Sequence, residues 1–164
     1  MPKITSILFA FALTLMLAAT DAGAHSYQAG ALTIGHPWAP PAPAGMPTAV
    51  GYLSVTNTGK ALDRLVGATS PMVRRIEIRQ STTNEDVASA PEILGGLTIA
   101  PGQTVTLAPG AYQLTLIGPR QAFSPGDHIP ATLRFAHAGK VDVFFLVQAP
   151  SPTAAQPMPA MPGT

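Results

Sequence analysis

Cysteine is missing from this chain, and its absence excludes more than any other feature of the composition. The 164 residues contain no cysteine, which rules out a disulfide framework, a thiolate metal site and a cysteine nucleophile. Charge is also scarce, because charged residues make up 10 % of the sequence and the formal net charge is +1. So little charge excludes a nucleic-acid surface and a polybasic membrane patch.

The familiar enzyme motifs are missing as well. The sequence has no Gly-x-Ser-x-Gly, no His-Glu-x-x-His and no glycine-rich loop of the kind that binds phosphate. Its carboxylates are scattered along the chain, and the one adjacent pair, Glu85 and Asp86, lies in a polar stretch typical of a solvated loop. The sequence therefore predicts a protein that is not an enzyme.

The N-terminal residues have the pattern of an export signal. Lys3 precedes an apolar run over residues 4–19, and Ala22-Gly23-Ala24 is an A-x-A cleavage site. The run is short for a membrane span. We predict that residues 1–24 are a signal peptide, that the mature protein begins at His25 without a membrane span, and that it is periplasmic. A retained N-terminal anchor is the alternative.

Short alternating segments and frequent turn residues predict an all-β domain over residues 25–147. The chain has 18 prolines, 15 glycines and 46 % hydrophobic residues, a composition that favours many short strands. Period-2 alternation bounded by turn residues predicts strands. The predicted strands are 31–34, 50–57, 62–68, 74–80, 131–135 and 141–147. Their spacing indicates an antiparallel sandwich or barrel.

Residues 95–118 show the alternation most clearly. Pro-Gly pairs at 101–102 and 109–110 separate two predicted short strands. Val105 and Leu107 face inward in the first, and in the second Leu114 and Leu116 alternate with polar residues. In the segment 74–80 we likewise expect the isoleucines to face the core and Arg75, Glu77 and Arg79 to face outward.

The composition changes after residue 147. Residues 148–164 are rich in proline and alanine and contain neither charged nor aromatic residues. Such a composition cannot build a packed core, so we predict a disordered, partly polyproline-II tail. Met158 and Met161 lie within it.

Several ordered segments resemble the periplasmic copper chaperones called PCuAC. These are GYLSVTNTG at 51–59, LVGATSP at 65–71, IEI at 76–78 and the whole of 95–118. The resemblance extends over about residues 30–147. It implies a cupredoxin-like antiparallel β-sandwich of Greek-key topology, Cu(I) as the cargo, and a copper-donating or copper-receiving partner such as a respiratory oxidase subunit or its assembly factor.

The resemblance also implies where copper ligands would lie, and these positions are substituted. The family motif is a His, a Met about eleven residues later, and a late His-x-Met pair; here the positions hold Arg79, Ala90, Gln113 and Thr115. Thioether and imidazole groups suit Cu(I), whereas a guanidinium is cationic and has no free lone pair. Residues 73–127 contain no His, Met or Cys. We therefore expect the family-type copper site to be absent.

Other copper ligands lie at the two termini. If cleavage follows Ala24, the α-amino group and imidazole of His25 are placed to chelate one ion together. Met158 and Met161 offer soft thioethers on the tail. We take these three as the candidate metal ligands. Structural or surface roles are expected for the remaining mature His and Met residues: His36, His128, His137, Met46 and Met72.

Two functions remain open from the sequence. The first is an exported copper-handling protein of the PCuAC type that has lost its usual Cu(I) site and binds copper at most through its termini. The second is a non-metal protein-interaction module on the same scaffold, with Arg79, Gln113 and Thr115 as a polar contact patch.

Overall fold

The computed structural model describes residues 26–80 and 92–149, which fold into ten β-strands with no helix among them. Their bounds are β1 Ser26–Ala29, β2 Leu32–Ala39, β3 Thr48–Asn57, β4 Asp63–Thr69, β5 Arg75–Gln80, β6 Leu97–Ile99, β7 Thr104–Leu107, β8 Tyr112–Ile117, β9 His128–Phe135 and β10 Lys140–Val147. The predicted all-β class is confirmed.

All ten strands join one strongly curved, nearly closed sheet in the order β5-β8-β7-β3-β2-β10-β9-β4-β6, with β1 paired to β2. Most pairings are antiparallel, as expected. Two are parallel, where β10 runs beside β2 and where β7 meets β8. The β2–β10 pairing joins the first long strand to the last, so it links the two ends of the described chain.

The core lies on the concave face of this sheet. Each long strand contributes alternate apolar side chains, as the period-2 pattern predicts. In β9 the buried members are Ile129, Ala131, Leu133 and Phe135. In β8 Leu114 and Leu116 are almost fully buried, which confirms their predicted inward orientation.

Two strands were not predicted, and β2 and β9 were predicted several residues too short. β1 and β6 are only four and three residues long, so neither shows enough alternation to be recognised. β2 continues through His36-Pro37-Trp38 to Ala39, beyond the predicted end at residue 34. A β-bulge between Gly35 and Trp38 absorbs this irregular stretch, and His36 there has a positive φ of 51°.

The turn after β3 illustrates how a polar residue closes a strand. Asn57 is 1 % exposed, and its side-chain amide donates to the carbonyls of Ala61 at 2.8 Å and Ile99 at 3.1 Å. Its Oδ1 atom accepts from the amide of Gly59 at 2.9 Å. Asn57 therefore holds the turn between β3 and β4, with both polar atoms of its side chain paired.

Gly96 explains how β6 reaches β4. A Cβ atom at this position would lie 2.4 Å from the carbonyl oxygen of Leu65, and Gly96 has a φ of +88°. Both the close approach and the left-handed backbone require glycine. Leu97 can therefore pair with Leu65 immediately afterwards.

No helix in the described ranges 26–80 and 92–149 is long and apolar enough to cross a membrane. The predicted signal peptide at 1–24 lies outside these residues, as does the tail beyond residue 149.

Candidate functional site

The face of the sheet formed by β5 and β8 brings together the polar residues that the sequence singled out. These strands pair antiparallel, so that Arg79 lies opposite Gln113 and Glu77 lies opposite Thr115. All four side chains project from the face opposite to the core leucines of β8, because side chains alternate along a strand. Three of the four positions at which the resemblance implies copper ligands, 79, 113 and 115, are therefore neighbours in space.

Glu77 is the centre of this face. It lies on the outward face as predicted, but it is only 6 % exposed. Arg79 donates to its Oε2 atom from Nε at 2.9 Å and from Nη2 at 2.6 Å. Arg75 approaches the other oxygen, Oε1, at 2.5 Å. Glu77 is thus held between two guanidinium groups on its own strand.

The two arginines differ in exposure, and this difference defines the shape of the site. The Arg75 side chain is 66 % exposed, while that of Arg79 is 33 % exposed. Arg79 makes a two-nitrogen contact with one carboxylate oxygen, which is stronger and more directional than a single charged contact. Arg79 is therefore a fixed part of the face, and Arg75 is its solvent-facing rim.

Across the strand pair, Gln113 and Thr115 complete the cluster. Gln113 donates from Nε2 to Oγ1 of Thr115 at 3.3 Å, and Thr115 is only 6 % exposed. Beyond Thr115 the next strand contributes Val50 as its register partner. We call the five residues Arg75, Glu77, Arg79, Gln113 and Thr115 the β5–β8 polar cluster. It contains a carboxylate already neutralised by two cations, an amide and a hydroxyl.

Such a cluster offers no ligand set for Cu(I). Soft or borderline sulfur and nitrogen donors select this ion, and the cluster has only a paired carboxylate, an amide oxygen and a hydroxyl oxygen. Across the described ranges 26–80 and 92–149, no group of three or more His, Cys, Asp or Glu residues is arranged to hold a metal ion.

The sequence-derived metal candidates lie outside the described residues. His25 falls just before the first described residue, and both Met158 and Met161 fall after the last. Ala90, the substituted methionine position, lies in the undescribed range 81–91. Their role as copper ligands stays a prediction.

The described histidines lie apart in the fold. His36 is exposed, and its Nε2 atom is 3.5 Å from Nε2 of Gln148. His128 begins β9 and meets the ring of Phe144 edge-on at 6.5 Å between centroids. His137 lies between β9 and β10, where its backbone amide donates to the carboxylate of Asp63.

The two methionines of the described residues, Met46 and Met72, differ in burial. Met46 is 46 % exposed, and Met72 is half-buried against the core, in agreement with structural or surface roles. Trp38 packs on Tyr52, with 4.8 Å between the ring centroids, on the opposite side of β3 from the buried Leu53. Burial raises the pKa of Tyr52.

Asp63, at the start of β4, is the second buried carboxylate, and sequence reasoning missed it. It is 5 % exposed. Its Oδ1 accepts from the backbone amides of Arg64 at 2.7 Å and His137 at 2.9 Å, and its Oδ2 accepts from Ala138 at 2.8 Å. Burial on its own raises the pKa of the Asp63 carboxyl, but these three amides outweigh it and hold the pKa below its ordinary value of 3.8.

Comparison with solved structures identifies the fold. The PCuAC domain of PmoF1 without copper has a TM-score of 0.65 and 27 % identity, and the match covers 77 % of this chain and 100 % of that one. The copper-bound PCuAC domain of PmoF2 has a TM-score of 0.64 and 28 % identity, covering 77 % of this chain and 99 % of that one. Cu(I)-DR1885 from Deinococcus radiodurans, at 22 % identity and a TM-score of 0.58, covers 80 % and 85 % respectively and shares the fold.

Comparison with sequences identifies the family. A protein named as a lipoprotein, Lxx21020 of Leifsonia xyli subsp. xyli, is 32 % identical over 109 residues, which are 66 % of this chain. The match spans 64 % of that relative's length, less than two thirds. The model of the LpqE-like lipoproteins matches residues 32–147, nearly the whole described sheet. The chain therefore belongs to the LpqE-like family, and its fold is that of the PCuAC copper-chaperone domains.

Proposed function

We propose that this protein is an exported copper-handling protein of the PCuAC type whose usual Cu(I) site has been replaced by a fixed ionic cluster. One observation carries the proposal. The Arg79 guanidinium is held on the buried carboxylate of Glu77, directly opposite Gln113, at the positions where the resemblance implies copper ligands.

The charge of this cluster supports the loss of the site. Two guanidinium groups surround one carboxylate, so the local charge is positive and disfavours a cation. The Arg79 guanidinium has no free lone pair to offer a metal ion. Any copper bound by the chain is therefore proposed to lie at the termini, on His25, Met158 and Met161, where it would pass to or from a copper-receiving or copper-donating partner such as a respiratory oxidase subunit or its assembly factor.

Export is part of the same proposal. It is supported by the A-x-A signal pattern and by the lipoprotein names of the family and of Lxx21020. The printed sequence contains no cysteine and so offers no thiol for the attachment of a lipid. We propose the periplasm as the location.

A Cu(I) titration against a chelator of known affinity tests the proposal. The mature protein is compared with a form that ends at residue 149 and has its α-amino group blocked. We expect the second form to lose measurable Cu(I) binding, because it retains only the sheet. Tight binding that survives both changes would overturn the proposal of an empty β5–β8 face.

Restoring the ligands sharpens this experiment. In the tail-deleted, amine-blocked form, Arg79→His, Ala90→Met, Gln113→His and Thr115→Met together should raise the Cu(I) affinity by more than about tenfold, since even an outer-shell change alters metal affinity by about 10–100-fold. A matched control places the same residue types on the outward face of β9, with Thr132→Met and Arg134→His. The control should not gain affinity.

A second function is favoured by the same cluster. Arg, Gln and Thr side chains on a fixed face form a polar contact surface that suits protein binding, and the cluster needs no metal to be ordered. A mature protein that binds no copper at micromolar concentrations, together with a restored variant that does, would favour this non-metal interaction module.

A further inference from the structure

A cavity beside the β5–β8 polar cluster carries an inference that does not depend on copper. Three segments meet there: residues 45–47 before β3, Arg74 before β5, and residues 117–120 after β8. The cavity is open to solvent, has a volume of about 690 Å³, and is lined by Gly45, Met46, Pro47, Arg74, Ile117, Gly118, Pro119 and Arg120.

Backbone hydrogen bonds fix these segments to one another. Arg74 donates its amide to the carbonyl of Ile117 at 2.8 Å, and Arg120 donates to that of Met72 at 3.0 Å. Gly118 donates to the carbonyl of Pro47 at 2.9 Å. The two arginines therefore extend from backbone that is held in place, and their side chains line the same cavity.

Gly118 shapes the position of Arg74. It has a φ of +63°, and a Cβ atom there would lie 3.0 Å from Nε and 3.4 Å from Cζ of Arg74. The guanidinium thus lies across the bare backbone of the turn. A side chain at position 118 would push it away from this place.

The cavity is electrostatically unbalanced. None of the five described carboxylates lines it; these are Asp63, Glu77, Glu92, Asp127 and Asp142. Within residues 26–80 and 92–149, the only ion pairs are those of Glu77 with Arg75 and Arg79. Arg74 and Arg120 therefore bring two positive charges to one concave surface, and no carboxylate of the described residues neutralises them.

We propose that this cavity binds the phosphate group of an organic phosphate. Guanidinium groups match phosphate oxygens with paired N–H donors, and two of them suit a doubly charged tetrahedral anion. The remaining walls are apolar, from Met46, Pro47 and Pro119, and the volume exceeds that of phosphate alone. The ligand is accordingly a phosphate ester with an organic portion, either free in solution or as a lipid headgroup.

An NMR titration of the mature protein tests this assignment. Glycerol 3-phosphate is added at constant ionic strength, with sodium chloride as the reference salt. We expect saturable shifts of the Gly45 and Gly118 amides and of the Nε–H signals of Arg74 and Arg120. Arg74→Gln and Arg120→Gln should each weaken binding about tenfold, since a hydrogen bond to a charged group is worth about that factor.

Arg134→Gln is the matched control. Arg134 is also exposed and also lies over a glycine, with Nη2 3.0 Å from where a Gly67 Cβ atom would be, but it does not line the cavity. Its substitution should leave binding unchanged. An equal loss in the Arg134→Gln variant would mean that the protein attracts phosphate through its general charge, and would overturn the assignment.

A second experiment distinguishes a free phosphate ester from a lipid headgroup. The same proteins are sedimented with vesicles of phosphatidylcholine alone or with phosphatidylglycerol added. Binding of glycerol 3-phosphate identifies a free phosphate ester as ligand, whereas binding to the anionic vesicles alone, lost in Arg74→Gln and Arg120→Gln, identifies a headgroup. Saturable binding in neither arm overturns the proposal.

Discussion

Two buried carboxylates lie in different strands of this sheet, and they differ in the kind of group that pairs with them. Asp63, the first residue of β4, accepts hydrogen bonds from three backbone amides. Glu77, in the middle of β5, is held by two arginine side chains. Both are nearly inaccessible, at 5 % and 6 % exposure.

The comparison distinguishes a carboxylate that is part of the fold from one whose surroundings depend on the identity of neighbouring side chains. Every residue except proline has a backbone amide, whatever its side chain is. The amides of residues 137 and 138 cannot reach water unless the turn before β10 changes its conformation. The partners of Glu77 are side chains that reach solvent. Asp63 is therefore tied to the fold, while Glu77 is tied to the particular chemistry of the β5–β8 face.

The largest effect is expected from Asp63→Asn. The substitution places an amide nitrogen against backbone donors and leaves at least one of them unsatisfied, which costs about 1–3 kcal/mol of unfolding free energy. Urea unfolding at pH 7 measures it. Asp142→Asn is the control, because Asp142 is exposed and its carboxylate accepts a hydrogen bond from the Thr132 hydroxyl; an equal loss in both variants would contradict the anchoring role of Asp63.

The same pair of proteins has a predictable pH dependence. The native-state pKa of Asp63 lies below 3.8, so its carboxylate stabilises the fold at pH values above the unfolded-state pKa and loses this effect as the pH falls through the native pKa. We expect the stability difference between the wild type and Asp63→Asn to be constant from pH 7 to about pH 5 and to shrink below about pH 4. A gap that widened in acid would reverse the sign of this argument.

A smaller effect is expected from Glu77→Gln. Removing the carboxylate costs about 1 kcal/mol, because both arginines have exposed portions and can turn toward water, which the amides around Asp63 cannot do. Chemical denaturation measures the loss. Arg75→Gln, which leaves the Arg79 contact with Glu77 in place, should cost less than about 0.5 kcal/mol. If Glu77→Gln lowered the free energy of unfolding more than Asp63→Asn does, the proposed difference between the two carboxylates would be wrong.

Of the two buried residues of the cluster, Glu77 and Thr115, the smaller effect is expected from Thr115→Val. This substitution keeps the β-branched shape and removes only the acceptor of a long hydrogen bond, 3.3 Å from Gln113. A change within about 0.5–1 kcal/mol in thermal or urea unfolding is expected. A much larger loss would show that Thr115 has a partner of its own and belongs with the anchors.

Sequence patterns predicted this fold well where burial alternates strictly. The strands around Val55, Leu114 and Val143 were found because every second residue is apolar. β1 and β6 escaped detection because strands of three or four residues carry too little periodicity. The extension of β2 escaped because Pro37 argues against a strand, and only the bulge accommodates it.

The candidate site was predicted in part. Alternation placed Arg79 outward on its strand and Gln113 and Thr115 on the polar face of theirs. The resemblance implied that the three meet, and the β5–β8 register agrees with this. The burial of Glu77 was missed. Alternation distinguishes the two faces of a strand, but it does not show that arginine side chains cover an outward-facing residue. Asp63 and the Arg74–Arg120 cavity were missed because their partners are distant in sequence.

By itself the sequence determined that the chain is an all-β protein without thiol chemistry, since both conclusions rest on local alternation and on the residue types present. It also determined that residues 73–127 contain no soft copper ligand. Only the tertiary structure decided which charges meet. Glu77 between two arginines, Asp63 on three amides and two arginines around one cavity all depend on which strands and turns pair, and pairing between distant segments is set by the closure of the whole sheet.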